Sequence, residues 1–374
     1  MKISIITLPL HANYGGIIQA YALQTVLERM GHEVTVISRP LRIHPGRWAC
    51  IKYIKRFVWK YLLCRNQFVF LEKRYNRRQK LIETNTKCFI SQYIKLKNIH
   101  SFDELEKDDV NAIVVGSDQV WRPVYFCGMF KSKLENAYLE FAENWNIKRI
   151  AYAPSFGTDE WEYDKEQTAS CRRLIQMFVA VSVREESGVR LCKDYLGRAN
   201  VEWVLDPTML LEKEDYENLI PQGLHADGDL MYYVLEETTD IRDLICKIAK
   251  KYTLKPFQTN ANVVDASSLE EVYPQPPVEQ WLVGFRDAKV VVTDSFHACV
   301  FSILFHKPFV VIGNKGRGYS RFESLLKRFG LENRLIENVS QFNEDMLEPL
   351  PESVYDKLAI FCKNSMDFLS EVLE

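Results

Sequence analysis

The first 40 residues alternate between short β-branched stretches and one stretch of helical periodicity. Residues 3–8 and 33–38 are rich in β-branched side chains and predict strands. Residues 17–30 repeat apolar side chains at helical spacing. Strand, helix, strand is the order of a parallel sheet with helices on its faces. Further predicted strands, each followed by polar residues or by Gly and Pro, are 112–115, 149–153, 179–183 and 201–205.

A smaller series of the same kind begins near residue 230. It combines strand and helix patterns at 230–235, 240–252, 289–293, 298–305 and 309–312. The polar stretch 210–229 before it contains a proline and two glycines, as a linker does. We therefore predict an α/β protein with an N-terminal domain over 1–210 and a C-terminal domain over 211–345. A last helix within 346–374 is expected to pack back on the first domain.

Length and composition support this division. The chain has 374 residues, of which 47% are apolar and 26% charged, and this profile excludes disorder, collagen and coiled coil. Because single cores stop growing at about 250 to 300 residues, we expect two domains with a ligand-binding cleft between them. No apolar run approaches the roughly 20 residues of a membrane span, so any membrane contact is expected to be peripheral.

The nine cysteines form no CxxC pair and no short cluster with histidine. Zinc and redox motifs therefore lack their spacing, and we expect neither a metal nor an organic cofactor. Reduced thiols favour a cytoplasmic location.

Residues 42–80 are strongly basic. They contain twelve Lys or Arg and one acid, Glu72, so this segment carries +11 in a chain whose net charge is −2. Apolar and cationic side chains interleave over 51–80, which predicts an amphipathic helix within an insertion at about 42–100. The first interpretation is that the apolar stripe packs on its own domain. The alternatives are an anionic membrane surface or a lipid pyrophosphate, at the inner face of the cell membrane, and nucleic acid; we expect no nucleic-acid partner.

The first cluster of candidate site residues lies between the first strand and the first helix, where ligands bind in α/β sheets. It comprises Asn13, Tyr14, Gly15, Gly16 and Gln19. Adjacent glycines let backbone approach a ligand, and a helix N-terminus offers N–H groups to an anion. The alternative is that the glycines serve close packing of strand and helix. Because neither GxGxxG nor a P-loop occurs, the sequence does not predict dinucleotide or ATP binding.

A second cluster, Ser117, Asp118, Gln119 and Trp121, follows the predicted strand at 112–115. Asp118 is a candidate base or hydroxyl ligand, and the alternative for Ser117 and Asp118 is a helix N-cap. Trp121 offers a sugar a stacking face, or packs in the core.

Arg184 and Glu185 follow the predicted strand at 179–183. An arginine there can bind a carboxylate or a phosphate through two parallel hydrogen bonds. The alternative is an arginine paired with a neighbouring glutamate. Asp206, after the strand at 201–205, is interpreted as a turn or helix cap.

The last cluster, Asp294, Ser295, Phe296 and His297, lies between a predicted strand and an apolar helix. His297 is expected in the first turn of that helix, facing the cleft, where a bound anion would favour its protonated form. A loop rich in glycine and cations follows the strand at 309–312, and its candidate anion ligands are Lys315, Arg317 and Arg321.

These stretches together resemble the polysaccharide pyruvyl transferase family. The resemblance extends from residue 1 to about 335, and its pieces occur in order as NYGGIIQAYALQ, VVGSDQVW, AYAPSFG, VSVREESG, VLDPTMLL and VTDSFHACVFSILFHKPFVVI. Residues 42–100 contain none of these pieces, and this is the part that varies most.

The resemblance implies two Rossmann-like domains arranged as in GT-B glycosyltransferases. It also implies transfer of a pyruvyl group from phosphoenolpyruvate to a hexose such as galactose, in a capsular or exopolysaccharide precursor, with a cyclic ketal as product and phosphate released. Arg184 and His297 match the family's donor-binding positions. Where several members have an arginine two residues before the histidine, this chain has Ser295, and Lys315, Arg317 or Arg321 is expected to replace that contact.

For this reaction we assign His297 as general acid and phosphate ligand, and Asp118 as base on the acceptor hydroxyl. Two other functions remain open. One is a nucleotide-sugar-dependent glycosyltransferase on the same scaffold, and the other is a sugar- or anion-binding protein without turnover.

Overall fold

The computed structural model describes residues 1–64, 68–261, 266–267, 270–313 and 318–374. Within this part of the chain, all strands pair in parallel and form two sheets with helices packed on them. The architecture is thus α/β with two Rossmann-like halves, as the sequence predicted.

The first sheet contains β1 (Lys2–Ile6), β2 (Glu33–Ser38), β3 (Leu96–Asn98), β4 (Ala112–Val115), β5 (Lys148–Ala151), β6 (Ala180–Val183) and β7 (Glu202–Trp203). Its strand order is β3-β2-β1-β4-β5-β6-β7. The helices of this half are α1 (Tyr14–Arg29), α2 (Ala49–Tyr61), α3 (Leu71–Ile82), α4 (Thr84–Tyr93), α5 (Pro123–Phe130), α6 (Lys165–Ile175), α7 (Glu186–Asp194) and α8 (Lys213–Glu217).

The second sheet contains β8 (Leu230–Tyr233), β9 (Pro256–Gln258), β10 (Val290–Thr293), β11 (Phe309–Ile312) and β12 (Leu335–Ile336). Its order is β12-β11-β10-β8-β9. The helices here are α9 (Thr239–Tyr252), α10 (Val278–Asp287), α11 (Phe296–Leu304), α12 (Tyr319–Phe329) and α13 (Ser353–Leu373).

Helix α1 begins at Tyr14, three residues before the predicted start at residue 17. The side chain of Asn13 caps the helix by accepting a hydrogen bond from the backbone N–H of Gly16 at 3.4 Å. Two glycines weaken the helical signal of this first turn. The helix therefore starts directly at the loop that follows β1.

The basic segment forms two helices, α2 and α3, rather than one helix over 51–80. No residue of α2 is buried. The interpretation that its apolar stripe packs on its own domain is therefore wrong for α2. Helix α3 is anchored at its end, where Gln79 and Ile82 are buried.

One apolar core connects the two halves. Ile17 and Ile18 of α1 belong to the same buried cluster as Trp281 of α10 and Phe301 of α11. Helix α13 joins this core from the end of the chain, where its Ser365 hydroxyl accepts a hydrogen bond from the backbone N–H of Leu205 at 3.0 Å. Both sheets are thereby held against a common interface.

Among the described residues, no helix combines the length and apolar character needed to cross a bilayer.

Tyr14 links the halves by a polar contact. Its hydroxyl lies 2.7 Å from the carbonyl oxygen of Pro276 and 3.0 Å from that of Thr259, and its ring stacks on Trp281 at 5.5 Å between centroids. Burial raises the pKa of this phenol well above its usual value, so the hydroxyl remains a donor.

We expect Tyr14→Phe to lower the free energy of unfolding by about 1–3 kcal/mol, because two buried carbonyls lose their donor while the ring contacts remain. Urea unfolding followed by fluorescence measures this. Tyr252→Phe, at an exposed tyrosine, is the control and should change little; an equal effect in both variants would contradict the assignment of a link.

Candidate active site

A cleft of about 590 Å³ lies between the two halves, within the usual range for a ligand pocket. Loops at the carboxyl ends of β1, β4, β8 and β10 line it, as expected for parallel sheets. The predicted site residues that line it are Asn13, Gly16, Asp118, Gln119, Asp294, Ser295, Phe296, His297 and Arg321.

The buried carboxylate of Asp206 connects the polar groups at one wall of the cleft. Its Oδ2 accepts from Nη1 of Arg184 at 2.6 Å and from the Ser117 hydroxyl at 3.3 Å, and lies 3.6 Å from Nε2 of His297. Burial alone would raise the pKa of Asp206, but His297 and Arg184 outweigh it, and the pKa lies well below its usual value. The carboxylate is therefore ionised.

Asp206 also has the role that the sequence assigned to it. Its Oδ1 accepts from the backbone N–H of Thr208 at 3.0 Å and from the Thr208 hydroxyl at 2.7 Å, so it caps the turn Pro207–Leu210. The cap is evident from the sequence, but the second role of Asp206 is not, because its partners Arg184 and His297 are distant in sequence.

The guanidinium of Arg184 lies one layer behind the cleft surface. It sits 4.4 Å from the ring centroid of Phe296, and its Nη2 is 3.6 Å from Oδ1 of Asp118. Burial lowers the pKa of Arg184, yet Asp206, Glu185 and Asp118 outweigh this effect and raise it overall. Within the described part of the chain, its Nε and Nη2 have no hydrogen-bond partner.

A second guanidinium, that of Arg321, lies at the cleft surface. It lies 5.5 Å from the same Phe296 ring. Burial, and then repulsion by Arg184, lower the pKa of Arg321 to about 10. An anion beside Arg321 would offset both effects, and the position is therefore suited to a small anionic ligand.

His297 is in the first turn of α11 and packs directly on Gly15 at the start of α1. A Cβ at position 15 would overlap the imidazole ring, whereas a Cβ at Gly16 would be 3.7 Å from the nearest atom, an ordinary contact. Gly15 thus lets a helix of one half approach the histidine of the other.

Asp118 reaches the cleft from a left-handed backbone conformation, with φ of 60°. Its carbonyl oxygen accepts from the backbone N–H groups of Val120 at 2.8 Å and of Ser155 at 2.9 Å. These bonds fix the turn that presents its carboxylate beside Arg184.

Several predicted site residues support the site from within the protein. Gln19 donates to Thr7 and accepts from the backbone N–H of Ser117, and Trp121 stacks on Tyr138 at 4.9 Å. Glu185 accepts from the Ser155 hydroxyl, and its burial raises its pKa. Some of the predicted site residues are buried and do not line the cleft, namely Tyr14, Gly15, Gln19, Ser117, Trp121, Arg184 and Glu185.

Asp294 lines the cleft and also holds a neighbouring loop. The carboxylate of Asp294 accepts from the backbone N–H groups of Leu235 at 2.7 Å and Glu236 at 3.0 Å, and so fixes the loop after β8. Lys315 and Arg317 lie outside the described residues.

The cleft also contains a histidine that is not among the predicted site residues. His11 lines the wall opposite the second half, and its Nδ1 lies 3.1 Å from Oε1 of Glu83. Burial raises the pKa of Glu83, but His11, Gln79 and Lys87 outweigh it and lower the pKa to about 2. His11 lies in the same loop after β1 as Asn13. Its position in this loop was the only feature of the sequence that could have indicated a place in the cleft.

In the described residues, no group of three or more His, Cys, Asp or Glu is placed to hold a metal ion.

Comparison with protein families gives a match to the family described as polysaccharide pyruvyl transferase, over residues 13–316. The chain belongs to the polysaccharide pyruvyl transferase family. This membership makes it a transferase of polysaccharide biosynthesis. Arg184, Asp206 and His297 all fall within the matched residues. A comparison with curated proteins finds no match.

Solved structures share the fold at low sequence identity. UGT89C1 of Arabidopsis thaliana, solved with UDP-L-rhamnose, is 9% identical with a TM-score of 0.53, and the match covers 99% of this chain and 98% of that one. A UDP-N-acetylglucosamine 2-epimerase, described as putative, from Listeria monocytogenes is 10% identical with a TM-score of 0.50, covering 100% and 95%. The architecture is therefore that of GT-B glycosyltransferases, as the sequence predicted.

Gly15→Ala is expected to displace His297 and to abolish its contact with Asp206, because the added methyl group needs the space of the imidazole. The chemical shifts of the histidine ring in NMR spectra report this displacement. Gly16→Ala is the matched control and should leave the ring in place; perturbation of His297 by both variants, or by neither, would contradict the packing argument.

Glu83→Gln is expected to lower the free energy of unfolding by about 2 kcal/mol at pH 7. Because the folded pKa of Glu83 is depressed to about 2, its contribution is complete above the unfolded pKa and is lost as pH falls toward the folded one. The difference from wild type should therefore shrink below about pH 4.5, as measured by urea unfolding between pH 7 and 4. A difference independent of pH would show that the charge of Glu83 is not responsible.

Proposed function

We propose that the chain transfers a pyruvyl group from phosphoenolpyruvate to a hexose such as galactose in a capsular or exopolysaccharide precursor. The product would be a cyclic pyruvate ketal, with phosphate released. The observation that carries the proposal is the pair of buried guanidinium groups, Arg184 and Arg321, against the ring of Phe296 beside His297. Arg321 lines the cleft and can form charge-assisted hydrogen bonds with a small anionic ligand.

The two arginines have different roles in this proposal. Arg321 lines the cleft and would contact the phosphate or carboxylate of the donor directly. Arg184 lies behind the cleft surface, where it pairs with Asp206 and, through Nε, faces Glu185 at 3.5 Å. Its Nη2, 3.6 Å from Oδ1 of Asp118, would be available to an oxygen that displaces Asp118. Ser295, where related chains carry an arginine, lines the same cleft, and Arg321 would supply the missing charge.

The chemistry proceeds by proton transfers that need a positioned acid and base. His297 would deliver a proton to the methylene carbon of phosphoenolpyruvate, which makes C2 an oxocarbenium-like centre. A sugar hydroxyl adds to C2 and gives its proton to Asp118. Cleavage of the C2–O bond then releases phosphate, and the second hydroxyl closes the ketal. The two hydroxyl protons are balanced by one new C–H bond and one proton on phosphate.

His297 and Asp118 line one cleft from opposite halves of the molecule, as these reaction steps require. Asp206, at 3.6 Å from Nε2 of His297, would orient the imidazole. No step of this proposal needs a metal or an organic cofactor. The acceptor would enter beside His11, Tyr75 and Gln79.

We expect phosphoenolpyruvate to raise the thermal midpoint of the wild-type chain, because a ligand that binds only the native state stabilises it. Arg321→Ala should weaken binding by roughly tenfold to a hundredfold, the range for one charge-assisted hydrogen bond. Lys327→Ala, on the same helix α12 but exposed, is the control and should keep the response. Calorimetric titration gives the dissociation constants.

Titration with UDP and UDP-sugars separates the alternatives. Stabilisation by a uridine nucleotide with no response to phosphoenolpyruvate would contradict the proposal and favour a nucleotide-sugar-dependent glycosyltransferase. A third outcome is that phosphoenolpyruvate binds, that no tested hexose leads to phosphate release, and that His297→Ala leaves binding unchanged. This outcome would favour a binding protein without turnover.

A further inference from the structure

Helix α2 presents an apolar face that nothing in the described residues covers. Its apolar side chains recur at helical spacing and are between 36% and 65% exposed, namely Ile51, Ile54, Phe57, Val58 and Tyr61. Trp48, Leu62 and Leu63 at its two ends are exposed as well. Monomeric proteins rarely leave so continuous an apolar surface in water unless it binds something.

Contacts with α3 hold α2 in place. Nη1 of Arg56 donates to Oε2 of Glu72 at 2.8 Å, and the ring of Tyr53 contacts Phe70 at 5.1 Å between centroids. Both contacts use the side of α2 away from Ile54 and Ile51. The apolar face is therefore presented outward by a packed pair of helices.

Cations flank the apolar stripe of α2. Lys52 and Lys60 lie on the other side of the helix axis from Ile54. Lys55 borders the stripe one turn after Ile51, and Nζ of Lys60 lies 5.4 Å from the ring centroid of Tyr61. They belong to the segment 42–80, which carries +11 in a chain of net charge −2. A basic face beside an apolar face is the pattern of a helix that lies in the plane of an anionic bilayer.

We propose that α2 binds the surface of an anionic lipid bilayer, with its apolar face at the level of the acyl chains and its lysines at the headgroups. A second copy of the chain would place two segments of +11 against each other, which like-charge repulsion opposes. A nucleic acid would pair with the cations and leave the apolar face in water. Only the bilayer accommodates both faces at once.

The same segment also forms part of the cleft. Helix α3 contributes Tyr75 and Gln79 to the lining, and its end is tied to His11 through Glu83. Binding of α2 to a membrane therefore places one wall of the cleft next to the lipid surface. If the proposed function holds, an acceptor sugar carried on a lipid pyrophosphate is presented there.

Vesicle co-sedimentation tests the proposal. We expect the full chain to bind vesicles that contain phosphatidylglycerol, to bind pure phosphatidylcholine weakly, and to lose binding at high salt. Ile51→Glu should weaken binding by at least about tenfold, since a charge then enters the acyl boundary. Ile360→Glu on α13 is the matched control, because Ile51 and Ile360 are both 57% exposed.

A second variant tests the charge. Lys52, Lys55 and Lys60 are changed together to Gln, and the control changes Lys247, Lys250 and Lys251 on α9, which removes the same number of cations. Only the α2 variant should lose binding to anionic vesicles. Equal losses in both would show that net charge alone attracts the lipid and would overturn the proposal.

Two further outcomes would also overturn it. One is no binding of wild type to either vesicle. The other is that sedimentation velocity shows a dimer of the wild-type chain and that Ile51→Glu dissociates this dimer. That result would show that a second copy of the chain covers the apolar face of α2. The thermal response to phosphoenolpyruvate, measured on the same variants, should be unchanged, so that failure of the membrane proposal and failure of the proposed reaction give different results.

Discussion

A buried carboxylate between an arginine and a histidine is the interaction on which the site depends. Asp206 follows β7 of the first sheet, and its partners are Arg184 from the same half and His297 from the other. In a low-dielectric interior, the charges of Asp206 and Arg184 are each costly without a partner. The network therefore fixes the relative position of the two halves at the cleft, and at the same time fixes where positive charge is available to a ligand.

Packing reinforces this electrostatic constraint. His297 can reach Asp206 only because position 15 has no side chain, so the first turn of α1 lies directly against the imidazole. The apolar core around Ile17 and Phe301 holds the same two helices together farther from the cleft. The geometry of the site thus follows from the helix contact that joins the halves.

Much of the fold could be predicted from the sequence, since buried parallel strands are continuous apolar runs. Strands β2, β4 and β11 have the predicted bounds. The edge strands β3, β9 and β12, of two or three residues, are too short to show any period. The candidate site could be predicted in part, because ligands bind at the carboxyl ends of parallel strands. The roles of Asp206 and His11 could not be predicted, because both depend on partners that folding brings together.

In the proposed function, phosphoenolpyruvate binds beside Phe296, at the side chains of Arg321 and His297. The most direct measurement is a crystal structure of the chain with phosphoenolpyruvate bound. We expect phosphate or carboxylate oxygens within hydrogen-bond distance of the Arg321 guanidinium and of the His297 imidazole, with the methylene carbon facing the cleft. A donor molecule bound away from both side chains, in a cleft whose Arg184, Asp206 and His297 contacts are unchanged, would contradict it.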